Sequence, residues 1–166
     1  MQVDTTPVGA ATFASRALGV KAQGPTLKLF SFADNGLDAL GHAIIINANL
    51  ASQNRDLVQR FVRAYARSTV WSQQPENHDK AIDAYMQANA QQNREGEKGN
   101  YVGTLPYQVD ERAAGFAGQF VFPVGKVEKT VELANKAYSL DVKPDAVYTN
   151  EFVMALPESL RQGRLP

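Results

Sequence analysis

The chain has 166 residues, about one domain, and with 44% hydrophobic and 20% charged side chains it has an ordinary globular composition able to bury a core. Seventeen basic and seventeen acidic side chains cancel, so no net field favours nucleic acid or an anionic membrane. The absence of cysteine excludes disulfides and thiolate metal sites without choosing a compartment, and no apolar run approaches the roughly 18 residues that span a bilayer.

The start, Met1-Gln2-Val3-Asp4-Thr5-Thr6, has neither the basic nor the apolar region of a signal peptide and reads as a strand entered halfway. The expectation is that the first half of a larger protein precedes it. Thr6 then stands at an N-cap and Pro7 at the first helical position, where its missing N–H is no loss. Gly19 falls where a C-cap is wanted, closing a helix with Phe13, Ala14, Ala17 and Leu18 on one stripe. Residues 21–25 turn the chain into a partly alternating strand carrying Leu27, Leu29, Phe30 and Phe32. Strand, helix and strand in succession make a βα unit of a parallel sheet.

Asp34-Asn35-Gly36 is strong turn chemistry, because Asn and Gly tolerate positive φ and Asp can bond its own backbone. The connector is too long for a tight hairpin and joins two distant strands. The second is the β-branched run Ala43-Ile44-Ile45-Ile46, suited to burial on both faces. Asn54 is the expected N-cap of an amphipathic helix over 55–71, with Val58, Phe61, Val62, Tyr65 and Thr69 facing in and Arg60, Arg63 and Arg67 facing solvent. Tyr65 and Trp71 are expected in the core. Pro75 opens a further helix to about residue 91, with Ala81, Ile82, Tyr85 and Met86 inward. Residues 91–104 are polar and glycine-bearing and read as a loop. A weak helix over 110–120 suffers from Gly115 and Gly118, each costing about 1 kcal/mol against alanine. Residues 126–140 are helical again, with Val127, Thr130, Val131, Ala134 and Tyr138 on one face and a Glu132–Lys136 pair. Residues 147–153 form a short extended or turn segment.

The order of these landmarks resembles the C-terminal half of the periplasmic substrate-binding proteins of ABC importers in the nitrate, sulfonate, taurine and thiamine-pyrimidine-precursor group. The resemblance rests on Gln2-Val3-Asp4 with its βα turn, on Asp34-Asn35-Gly36 leading to Gly41-His42 and the isoleucine run, on the stretch from Asn54 through Trp71 to Pro75-Glu76-Asn77, and on Tyr148-Thr149-Asn150-Glu151-Phe152. It covers nearly the whole chain, although residues 93–107 match nothing in the family and its members are much longer. It implies an α/β, partial periplasmic-binding-protein type II fold. Residues 1–33 would be the remnant of the second lobe, 34–41 the crossing between lobes and 42–166 the C-terminal part of the first lobe. It also implies a non-catalytic component, periplasmic or in the cell envelope, that hands a small anionic or zwitterionic solute to an ABC permease. Strand edges left unpaired would favour self-association.

In open α/β sheets ligands sit beyond the carboxyl ends of strands, often at helix N-termini. The Thr5 and Thr6 hydroxyls and the N–H groups of Val8 and Gly9 suit a sulfonate, carboxylate or nitrate oxygen; the same turn is equally an ordinary capped helix start. Asn35 either touches ligand or simply makes its turn. His42 reads as a core or boundary histidine and His78 as solvated. Two distant histidines without clustered carboxylates give no metal site, and no cofactor is expected. No nucleophile elbow or phosphate loop is present, and no carboxylate pair lies in an evident cleft. Two alternatives stand beside transport: a pyrimidine-precursor synthase-like enzyme of the same fold, whose cysteine-rich motif this chain lacks, and a truncated remnant without function.

Overall fold

The computed structural model describes residues 35–108 and 117–163, and among these every regular element is helical. The expected strands at Val3 to Thr6 and at Leu27 to Phe32, the helix opening at Pro7, and most of the weak helix over 110–120 lie outside the described residues.

Ala43 to Ile46 is not a strand. The run is irregular and solvent-facing, with Ile45 93% exposed, and no described segment pairs with it. β-Branched residues favour strand geometry mainly through cross-strand packing, and here no described neighbour supplies it. The run instead leads into Asn47, whose Oδ1 accepts from the N–H groups of Asn49 (2.9 Å) and Leu50 (3.3 Å) and so starts α1, Ala48–Gln53.

Asn54 ends α1 by donating its N–H to the Leu50 carbonyl at 3.0 Å, and the chain restarts at once as α2, Arg55–Ser72. Asp56 in its first turn faces the positive helix end and pairs with Arg60 at 3.0 Å. The helix is where the sequence places it, but its inner face is rotated. The buried row is Val58, Ala66 and Val70, with Val62 packed beside it. Phe61 and Tyr65, expected inside, are about half exposed and stack on each other with centroids 6.3 Å apart. Trp71 is also exposed, while Arg60, Arg63 and Arg67 face solvent as expected.

Pro75–Asn77 is a single 3-10 turn, and α3 follows at His78–Ala88 with Ile82 buried and Tyr85 exposed. The expected loop over 91–104 is in fact largely helix: α4 runs Arg94–Thr104. Asn93 caps it, its Oδ1 accepting from the Gly96 N–H at 2.8 Å, and Glu95 and Glu97 sit in the first turn. Arg94 reaches back to α3 with bonds to Asp79 (3.0 Å) and Asp83 (2.7 Å), and Lys98 adds a second at Asp79 (2.7 Å). These ties, together with the packing of α4 on α3, work against the helix-weakening glycines of the segment.

Helix α5 covers Val124–Tyr138, with Val127 and Val131 buried, Thr130 and Ala134 half-buried and Tyr138 exposed. Glu132 pairs with Lys129 at 3.0 Å rather than with Lys136. Ser139 closes the helix in the left-handed region, and Asn135 latches the following loop by bonding both the N–H and the carbonyl of Val142 (3.1 and 2.9 Å). Two four-residue helices finish the described chain, α6 Glu151–Met154 and α7 Glu158–Arg161. They lie against α2: Ala66 and Val70 meet Leu156 and Leu160, with Phe120 and Val153 at the border. Gln59 Nε2 donates to the Phe152 carbonyl at 2.9 Å, and Arg55 forks onto the Glu151 carboxylate with its guanidinium 5.3 Å from the Phe152 ring centre.

Candidate functional site

Of the residues predicted to hold a ligand, Thr5, Thr6, Val8 and Gly9 lie outside the described residues. Asn35 is described. It is exposed and sits at the turn where Gly36 takes φ +88°, the left-handed geometry expected of this dipeptide.

The following residues fix that turn onto α5. Asp38 Oδ1 lies 2.8 Å from Lys126 Nζ, and the Leu40 N–H donates to Thr130 Oγ1 at 2.8 Å. Thr130 passes its own proton back to the Lys126 carbonyl at 2.7 Å, so its hydroxyl is fully oriented. Three features of the sequence thus converge on one place: a polar turn, an acidic residue two positions on, and, from α5, a lysine of the first turn with a threonine one turn further along.

Between the turn and α5 lies a recess of about 350 Å³ lined by Gly36, Asp38, Gly125, Lys126 and Lys129. It opens at the positive end of a fifteen-residue helix whose N-cap, Pro123, has no side-chain donor or acceptor to offer. The Pro123 carbonyl accepts from the N–H groups of both Lys126 and Val127 (3.0 and 3.1 Å). Gly125 adds no side chain there, and the space its Cβ would occupy is open. The lysine charges are matched, Lys126 by Asp38 and Lys129 by Glu132. The recess is therefore charge-balanced rather than a naked cationic patch. Lys126 and Lys129 carried no binding signal in the sequence, because only the fold brings them to the Asn35-Gly36 turn.

Both histidines sit elsewhere than expected. His42 is exposed. His78 is half-buried; its Nε2 lies 3.2 Å from the Gln73 carbonyl, which can only accept, so that nitrogen carries a proton. Its ring meets Tyr101 edge-on at 5.8 Å. Among the described residues no three His, Asp or Glu side chains gather as a metal-ligand set, and no helix is long and apolar enough to cross a membrane.

Against known proteins, no curated sequence and no solved structure matches the chain. A family model does match in part: residues 1–78, through the Asn35-Gly36 turn, α1 and α2 to the first residue of α3, fit the family described as NMT1/THI5 like.

Proposed function

We propose that this chain is the non-catalytic solute-binding component of an ABC importer, with a small anionic or zwitterionic organic solute of the nitrate, sulfonate or taurine kind as its ligand. The observation that carries the reading is the NMT1/THI5-like match over residues 1–78, a span that includes every residue singled out for ligand contact: Thr5, Thr6, Val8, Gly9 and Asn35. On this reading the fold is part of a periplasmic-binding-protein type II architecture, residues 34–41 are the crossing between lobes, and the protein works in the periplasm or cell envelope beside a permease. The docking of residues 38–40 on α5 supports the crossing role, since a hinge needs one anchored side against which to rotate. Solute captured between lobes shifts the open–closed balance only by its differential contacts in the two states, which needs no chemistry on the solute.

The test is calorimetric titration of the protein with ethanesulfonate, taurine and nitrate, with ethanesulfonamide as the neutral isostere. The expected result is saturable binding of at least one anion or zwitterion and none of the sulfonamide. Equal heats for sulfonate and sulfonamide, or no saturation by any of the three, would overturn the reading.

A further inference from the structure

On the side of the molecule formed by the carboxyl end of α2, α3 and α4 lies a second recess, of about 390 Å³, within the size range of small-molecule sites. Ile82 and Tyr85 of α3 supply apolar wall. Tyr101 of α4 and Ser72 of α2 meet across it, with the Tyr101 hydroxyl donating to Ser72 Oγ at 2.8 Å and Ser72 donating onward to the Thr69 carbonyl at 2.9 Å. Both hydroxyl protons are thereby committed, and the Tyr101 oxygen keeps lone pairs to accept with. His78, edge-on to the Tyr101 ring, helps hold that ring in place.

Two more polar groups line the same recess. Glu97 and Asn100 stand three residues apart on α4, hence on one helix face. Both are half-buried, and the side chain of neither has a hydrogen-bond or ion-pair partner among the described residues. Glu97 is the one charged residue of the lining; the neighbouring cation Lys98 is held by Asp79. An anion placed here would meet an uncompensated carboxylate. An ammonium group, with three donors and no acceptor, would meet the Glu97 carboxylate, the Asn100 amide oxygen and the Tyr101 oxygen, over an apolar floor beside two aromatic rings.

We infer that this recess binds a small primary amine with an apolar or aromatic body. None of its lining residues is among those assigned to the transported solute, and its one charge is negative, so its test stands apart from that reading.

The test is a ¹H–¹⁵N titration of the 166-residue protein with 2-phenylethylamine, alongside 2-phenylethanol and 3-phenylpropanoate. The expected result is saturable shifts at Ala81 to Tyr85 and Glu97 to Thr104 for the amine, with the alcohol weaker by about tenfold or more and the carboxylate silent. Glu97→Gln, which removes no described contact, should bring the amine down to the affinity of the alcohol while leaving the fold and the remaining resonances unchanged, with at most the small drop in melting temperature that loss of one first-turn charge brings. The inference is overturned if amine and alcohol bind alike in the unmodified protein, if Glu97→Gln leaves amine affinity intact, or if no saturable shift occurs up to about 10 mM amine.

Discussion

Gly118 sits where the chain passes directly under the end of α7. Its φ of +138° and the closeness of the Arg161 carbonyl, 2.6 Å from where a Cβ would stand, leave room for glycine alone. That approach lets the Gln119 N–H donate to the Arg161 carbonyl at 2.9 Å and ties the two segments together. Gly36 also has positive φ, but open space surrounds its missing Cβ. The two glycines should therefore respond differently to alanine. Gly36→Ala should cost about 1–2 kcal/mol, the strain of left-handed backbone alone. Gly118→Ala should cost about 3 kcal/mol or more, because main chain must also move. Urea unfolding midpoints of the two variants check this, and equal costs would mean that the Arg161 contact carries no weight. Asn150 shows the same economy at another residue: it bonds both the N–H and the carbonyl of Phe122 at 2.9 Å, standing in for a strand neighbour. Neither feature was legible beforehand. Gly118 read as a helix-weakening residue, because what makes it necessary is a carbonyl more than forty positions away in sequence.

Among the elements, α2 was the most legible and still misled on one point. Its apolar spacing predicts its existence and extent, yet the same spacing puts Phe61 and Tyr65 in the core, where the structure does not. The buried Val58, Ala66 and Val70, with the half-buried Val62 between them, follow a spacing of four and fit small side chains against α6 and α7. Phe61 and Tyr65 are displaced to the flank, where Tyr65 meets Phe120 edge-on at 6.3 Å. The centre of that interface is Leu160, 1% exposed. Leu160→Ala should cost about 2–5 kcal/mol, lowering the thermal midpoint and releasing α7, a helix too short to persist alone. Helix α4 was hidden behind its glycines, and its signals were the Asn93 cap, the acidic first turn and two cations spaced to reach α3. Those cations also set its pH dependence. The Asp79 carboxyl is held below its ordinary range, by the hydrogen bond from Lys98 first and from Arg94 next. A carboxyl with a lowered folded pKa stabilises above its unfolded value and loses that stabilisation as pH falls through the folded one. Protection of the α4 amides, taken relative to their intrinsic exchange rates, should therefore fall below about pH 4, and also in concentrated salt at neutral pH, since the pairs are solvent-exposed. Arg94→Ala should show the reduced protection already at neutral pH. Unchanged protection of α4 in that variant would mean that its packing against α3, rather than the ion pairs, holds it.

For the molecule as a whole, the sequence shows a partial family likeness, over residues 1–78, and not a complete architecture. The isoleucine run at 44–46 has the composition of a strand, but a strand is a relation between segments, and none of the described residues enters that relation with it. The Asn35-Gly36 turn was legible as a turn, while its seat against Gly125, Lys126 and Lys129 depended on a packing that no local pattern encodes. The proposed binding role turns on Thr6, which the sequence reads as an ordinary helix cap or as a cap that also donates to an anionic solute. A cap alone contributes about 0.5–2 kcal/mol to stability, whereas a hydrogen bond to a charged ligand group contributes roughly 1.5–3 kcal/mol to binding. The deciding measurement is paired calorimetry and thermal melting of the unmodified protein and Thr6→Ala with the sulfonate, taurine and nitrate panel. The expected result is an affinity loss of about tenfold or more together with a lowered melting temperature; a lowered melting temperature with unchanged solute affinity would contradict a binding role for Thr6.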